Sequence, residues 1–362
     1  MRNAFKILVL LGSLSRVLQP QLAEAAQTYE FYQGVRSLGM GGAYTAVVND
    51  ETSLLTNPAG LGRLRDVIFT VADPELAGSM NDTEMTTLSN TSAQTPDDLL
   101  KLLKTNPGKH WYAKAQAFPS VVAPNFGFGI HGKFQYDAEV NAAGTNYRLD
   151  YTNDYAATLG FCFKLFSGIL KVGVVGRYVD RTEIHKDIPL PATQSIDVDK
   201  YGSEGAGMAG DIGMMITAPV AWLPTLGATV RDAGNTSYTL TNGSFHSTLT
   251  RPAPTPQTLD LGYAIFPILA NHTRMAITID VHDVLDANQD PFTVKKVHGG
   301  MEFNFADFFY LRGGYNQGYW TGGLEFATEY FQLQAASYGE EIGIQTAPKE
   351  DRRWVGKLSI RF

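Results

Sequence analysis

The sequence predicts an all-β chain: a transmembrane antiparallel β-barrel of about fourteen strands. Three observations carry that expectation. From about residue 66 onward, runs of roughly ten residues alternate apolar with polar or small side chains, the period-two mark of strands that face lipid on one side and a lumen on the other. The connections between these runs alternate short and long, and aromatic residues cluster at both strand ends. After residue 26 no apolar run approaches the roughly 18 residues needed by a membrane-spanning helix.

The elements follow in chain order. Arg2 and Lys6 form a basic start, Ile7 to Leu14 an apolar stretch, and Ala23-Glu24-Ala25 a small-x-small cleavage site. Residues 1–25 therefore read as a Sec-type signal peptide. No cysteine follows it to carry a lipid. Residues 26–65 differ in character, with Gly34, Gly39, Gly41 and Gly42, then Asn57-Pro58-Ala59-Gly60-Leu61-Gly62. The first cluster is not a phosphate loop, because it lacks the Gly-Lys-Ser/Thr ending and no βαβ unit follows. Glycines here permit sharp turns and close backbone approach, as a compact segment tucked into a lumen requires.

Residues 66–362 form the expected barrel. The strands fall near 66–74, 108–122, 125–137, 151–165, 169–181, 207–218, 225–237, 257–266, 272–283, 292–305, 308–316, 318–328, 330–339 and 351–362. Every second connection is tight, as at Ala123-Pro124, Phe166-Ser167-Gly168 and Ala306-Asp307. The others are mostly long, and only the link near Gln317 breaks the rule and suggests a hidden longer loop. Phe163, Phe166, Trp222, Phe266, Phe305, Phe308 and Phe309 lie beside the short turns; Trp111, Tyr112, Tyr178, Tyr315, Tyr319, Trp320 and Tyr338 lie toward the long loops. Those positions suit two interfacial girdles. The last strand alternates and ends in Phe362, like the sorting signal read by the outer-membrane insertion machinery.

Composition narrows the chemistry. A formal net charge of −7 offers no basic face to nucleic acid. The single Cys162 excludes an intrachain disulfide framework and a multi-thiolate metal site. No catalytic constellation, cofactor motif or metal site stands out. Asp286-Ala287-Asn288-Gln289-Asp290 resembles the opening of a calcium loop but lacks the glycine and distant glutamate of an EF-hand, so a solvated acidic loop is the default. Strand parity points Lys171, Arg177, Arg231, Arg274, Asp280, Glu302, Arg312 and Glu325 inward, with Asp260, Lys357 and Arg361. Mixed signs favour a salt-bridged, largely filled lumen over an ion filter. In the first long loop, Leu99, Leu100, Leu102 and Leu103 line one face of a short amphipathic helix. They either form an apolar entry surface or cover the barrel mouth.

Gly34-Val-Arg-Ser-Leu-Gly-Met-Gly-Gly-Ala-Tyr-Thr-Ala-Val-Val-Asn-Asp50, followed by Asn57-Pro-Ala-Gly-Leu61, resembles the N-terminal block of the FadL/TodX long-chain fatty-acid transporter superfamily, which includes PorV-like secretion barrels. Leu311-Arg-Gly-Gly-Tyr-Asn-Gln-Gly318 to Tyr338-Gly-Glu-Glu341 is similar to the same group. The resemblance covers both ends; the middle matches by architecture. It implies a fourteen-stranded barrel in the bacterial outer membrane, with Gly34, Gly39, Gly41, Gly42, Asn57, Pro58 and Gly60 in an inward-folded hatch. It also implies passive uptake of long-chain fatty acids or other hydrophobic molecules, leaving sideways through a kinked strand. Phe118-Pro119 and the Gly127/Gly129 pair are candidate kinks, or else bulges near a periplasmic turn. A PorV-like barrel that binds proteins through its outer loops is the alternative. Implied partners are outer-membrane lipid and lipopolysaccharide, a hydrophobic substrate and the insertion machinery. No enzyme activity is expected.

Overall fold

A computed structural model describes residues 30–79, 100, 103–190, 198–241, 243–244, 250–269, 273–290 and 292–362. The expected signal peptide, the first residues of the 26–65 segment, Leu99 and Leu102 lie outside the described residues.

Fourteen strands, each antiparallel to its neighbours, close into one barrel. Two are interrupted: β1 comprises Ile68–Ala72 and Glu75–Ser79, and β2 comprises His110–Ala117 and Ser120–Ala123. The rest are β3 (Phe126–Val140), β4 (Asn146–Leu165), β5 (Leu170–Pro189), β6 (Ser203–Thr217), β7 (Thr225–Arg231), β8 (Thr258–Ile265), β9 (Thr273–Val281), β10 (Val297–Phe305), β11 (Phe309–Asn316), β12 (Tyr319–Ala327), β13 (Phe331–Glu341) and β14 (Glu350–Arg361). The seam closes where β14 pairs with both halves of β1, Thr70 opposite Arg361 and Glu75 opposite Lys357. Closure leaves no free edge, the condition for strands to cross hydrocarbon with every backbone group paired.

Alternation sets the two faces. On β9, Ile277, Ile279 and Val281 are exposed on the outer surface while Ala276, Thr278 and Asp280 are buried within. Exposed apolar side chains of this kind recur on every strand pair, an arrangement that suits a lipid solvent and not water. Phe163, Phe166, Trp222, Phe308 and Phe362 form an exposed band at the short-turn end, and Tyr155, Tyr178, Tyr315, Trp320 and Trp354 one toward the long loops. Trp111, Tyr112, Tyr319 and Tyr338 do not join that band. Tyr112 points inward with the Arg353 guanidinium 3.5 Å over its ring. Tyr338 is buried against Val35 and Leu38, and the Tyr319 hydroxyl donates to Glu341. Nearness to a strand end does not say which face a ring occupies.

Several ends differ from expectation. β4 and β5 are 20 residues each, about twice what a tilted strand needs to cross a bilayer, so their loop-side halves project beyond it. Arg148, Asp150, Lys186 and Asp187 made these halves look like loop. Their alternate positions, Tyr147, Leu149, Ile184 and Ile188, are nonetheless buried in one apolar cluster with Leu100 and Leu103. The Gln317 link hides no longer loop. Gln317 and Gly318 have φ of 51° and 102°, the left-handed pair that closes a two-residue hairpin. β7 stops at Arg231, and Thr293–Lys296 form a 3-10 turn ahead of β10.

The interruptions in β1 and β2 lie side by side, at Asp73-Pro74 and Phe118-Pro119. Proline has no N–H for the ladder. The gap is bridged by the Asp73 carboxylate, which accepts the Phe118 N–H at 2.5 Å. Of the two candidate kinks, Phe118-Pro119 is a break, whereas Gly127 and Gly129 lie in an unbroken β3.

Candidate functional site: the lumen and its N-terminal segment

Residues 30–64 occupy the lumen, touching wall residues of strands all the way round. The segment contains one turn of helix, α1 (Val35–Gly39), and two 3-10 turns, Glu51–Leu54 and Pro58–Arg63. Each 3-10 turn starts on a side-chain cap: Asp50 accepts from the Thr52 N–H and Asn57 from the Ala59 N–H at 3.1 Å. Asn57 also donates to the Thr45 carbonyl at 2.8 Å, tying the two halves together.

Glycines on both sides make this fit possible. Gly41 and Gly42, with φ of 69° and 82°, turn the chain after α1. Gly39 packs against Gly323, and Gly60 against Ser53 and Val48. Gly34 is also closely seated, since a Cβ there would lie 2.7 Å from the Tyr32 hydroxyl oxygen. Sequence reasoning missed the matching half, a row of inward-facing wall glycines. A Cβ on Gly173 would lie 2.2 Å from the Pro58 carbonyl carbon, one on Gly213 2.1 Å from Asn57 Oδ1, and one on Gly300 2.2 Å from the Met40 carbonyl oxygen. The one signal in the chain is that these glycines fall at inward parity where polar side chains are expected.

Ion pairs hold the segment to the wall. Arg36 donates from Nε and Nη2 to Glu302 at 2.8 Å each, and from Nη1 to Asp50 at 2.8 Å. Glu302 also accepts from Arg312 Nε at 2.7 Å, and Arg312 continues to Glu325. Asp280 accepts the backbone N–H groups of Tyr44 and Thr45 at 2.7 and 2.6 Å. His298 Nδ1 lies 2.9 Å from the Gly41 carbonyl oxygen, and its ring stacks on His282, which approaches Glu30 at 3.3 Å. Arg177 pairs with Asp211 and Asp232 and stacks on Phe31; Arg231 pairs with Asp260 at 2.6 Å. Lys357 bridges Glu51 and Asp73. The other inward-parity cations sit at the short-turn rim: Lys171 donates to the Gly168 carbonyl, and Arg274 faces Asp307 in solvent. Parity counting did not single out Arg36, Asp50, His282 and His298, nor the acidic partners Glu30, Glu51, Asp73, Asp211 and Asp232.

Two cavities flank the segment. One, of about 200 Å³ on the long-loop side, is lined by Glu30, Phe31, Arg177, Arg231, Asp260 and His282 among others. The other, of about 270 Å³, lies at the short-turn end. Both are rich in charge. The apolar part of the lumen is filled instead by packed side chains, with Phe31, Tyr32, Leu54, Leu61, Phe118 and Val175 in one cluster.

Leu100 and Leu103 neither line the mouth nor cover it. They are buried against Trp111, Tyr136 and Tyr147 on the outward faces of β2–β4, where the wall rises past the bilayer. In the acidic loop, Asp286 pairs with Lys296 at 2.5 Å and Asp290 with Lys295 at 3.2 Å. Asp283 accepts the N–H groups of Ala287 and Asn288. These carboxylates face lysines and backbone donors, and no group arranged for a metal occurs among the described residues.

On the projecting β4–β5 hairpin, His185 Nδ1 lies 2.8 Å from Asp150 and Nε2 3.5 Å from Glu183. Hydrogen bonds to those two carboxylates push its pKa up to about 9. The raised value means that the pairing supports the hairpin fully below the ordinary histidine range and is lost as pH rises through about 9. An NMR titration of His185 should show a midpoint near 9 that falls toward 6.5 in Asp150→Asn. An ordinary midpoint in the unmodified protein would remove this pairing from consideration.

No family model and no curated protein matches the sequence. Solved structures do. The CymD monoaromatic hydrocarbon channel aligns over 91% of this chain and 96% of its own at 11% identity, with a TM-score of 0.55. The Pseudomonas putida toluene transporter TodX aligns over 94% and 99% at 12% identity, with a TM-score of 0.53. A Pseudomonas aeruginosa FadL homologue aligns over 93% and 99% at 11% identity, with a TM-score of 0.53. The chain thus has the fold of the FadL/TodX superfamily of outer-membrane barrels.

Proposed function

We propose that this protein is a bacterial outer-membrane channel for passive uptake of small hydrophobic molecules, with residues 30–64 as its hatch. The observation that carries this reading is the apolar seam between the segment and the wall. Tyr32 and Phe118 pack with ring centroids 6.5 Å apart, and Phe118 adjoins the paired breaks of β1 and β2. A hydrophobic molecule that displaced these rings would reach a place where two neighbouring strands lose ladder hydrogen bonds together. The charged cavities on either side are poor hosts for such a molecule, which confines it to the seam. Long-chain fatty acids are the substrate that the N-terminal block suggests; compact aromatics fit the ring-lined seam. Export by the Sec pathway and insertion through the strand ending at Phe362 belong to the same proposal. The projecting β4–β5 hairpin supports the secondary reading, a docking barrel for a protein partner.

A native cysteine supplies the test. A Cβ on Gly62 would lie 2.8 Å from Cys162 Sγ, close to the separation found within a disulfide. Gly62→Cys should therefore oxidise to a bridge between segment and wall. Cells relying on this channel should then lose uptake of labelled toluene and oleate, and dithiothreitol should restore it. The same substitution with Cys162→Ser should transport in both conditions. Full uptake by bridged protein, with the bridge verified by mass, would defeat the hatch reading.

A further inference from the structure

The cavity of about 270 Å³ opens at the short-turn end, since Arg274 and Asp307 at its rim are 61% and 59% exposed. Its charges do not balance locally. Five arginines line it (36, 63, 274, 312 and 361) against four carboxylates (Asp50, Glu302, Asp307 and Glu325), leaving one positive charge in excess. The carboxylates are already engaged: Glu302 by Arg36 and Arg312, Glu325 by Arg312, Asp50 by Arg36. Two guanidiniums have none. Arg63 donates to the Ala46 carbonyl at 2.9 Å and stacks on Phe266 at 4.5 Å. The Arg361 side chain makes no hydrogen bond or ion pair among the described residues. Buried Arg312 adds a third sign of unmet demand, because its Nη1 has no hydrogen-bond partner.

The same cavity carries apolar lining from Val47, Ile68, Phe266 and Ala276, with Arg63 lying directly over the Phe266 ring. Cations beside apolar lining suit a ligand with one negative end and a short greasy body. Single excess charge favours a monoanion over phosphate, and planar guanidiniums match a carboxylate fork. We propose that this cavity binds a small amphiphilic carboxylate, its charged end on Arg63 and Arg361 and its body along Phe266 and Ile68. The site stands whether or not the barrel imports hydrocarbons.

Titration calorimetry on the detergent-purified protein, at low salt, tests it with water-soluble probes. Phenylacetate should bind saturably at one site. Phenylacetamide, which lacks the charge, and acetate, which lacks the ring, should each bind at least about tenfold more weakly. Arg63→Met keeps the aliphatic stem and leaves the Glu302 pairs untouched, and should weaken phenylacetate by about tenfold or more while the protein still migrates as a heat-modifiable barrel. If that variant does not fold, Arg361→Met makes the same test. No phenylacetate binding, equal binding of phenylacetamide or acetate, or an unaffected affinity in the folded arginine variant would overturn the proposal. Toluene uptake is read separately, so its loss alongside intact phenylacetate binding counts against the channel reading alone.

Discussion

Glu302→Ala should lower the stability of the folded barrel by about 3–5 kcal/mol, the usual consequence of removing one partner from a buried ion pair. Glu302 is the shared acceptor of Arg36 and Arg312, at 2.8 and 2.7 Å. Its loss leaves two guanidiniums in a confined space with only Asp50 and Glu325 to answer them. The effect exceeds that of a surface pair, worth about 1 kcal/mol at most, because little water reaches the Arg312 side chain, which is 1% exposed. Glu302→Gln keeps the shape and part of the hydrogen bonding and should fall between. Reversible urea unfolding in lipid bilayers measures the difference. A Glu302→Ala variant within about 1 kcal/mol of the parent would show that the network is not a source of stability.

Gly213→Val should expel the N-terminal segment while leaving the barrel closed. The new Cβ would fall 2.1 Å from Asn57 Oδ1 and 2.7 Å from Pro58 Cδ, with the Ala59 nitrogen 3.0 Å away. Asn57 caps the following turn, and its neighbours are ring and backbone atoms, so no flexible side chain can swing aside. Overpacking that a core can absorb costs about 1–3 kcal/mol; here the cheaper response is for the segment to leave. The outward face of β6 is untouched. The variant should keep heat-modifiable migration, become cleavable by trypsin at Arg36 and Arg63, and conduct ions in planar bilayers more strongly than the parent. A protease-resistant variant with parental conductance would show that the segment can shift within the lumen instead.

The strands were legible because a lipid solvent enforces strict alternation, and Met275, Ile277 and Ile279 have no other reason to recur at every second position. Strand ends were not, because beyond the bilayer Arg148 and Asp187 are as compatible with a tall wall as with a loop. Inward charges could be found by parity, but their partners could not. Arg36 meets Glu302 across 266 positions, a separation that only register and the path of the segment determine. Amphipathicity in the first long loop said that Leu100 and Leu103 would cover something, and not that the covered surface was the outside of the wall. The acidic stretch 286–290, read as a solvated loop, is instead partly answered by Lys295 and Lys296 in the next turn, partners that its own five residues could not announce.

Lys357 gives the seam between the first and last strands a requirement of its own. Its ammonium group, 4% exposed, lies 3.1 Å from Asp73 at the break in β1 and 3.4 Å from Glu51 of the lumen segment. Three parts of the chain, the lumen segment, the break in β1 and β14, converge on one nitrogen. Without the segment the same nitrogen keeps Asp73 and meets water in place of Glu51, so the wall can close on an empty interior. The occupant therefore decides how dry the seam of its container is, and not whether the container forms.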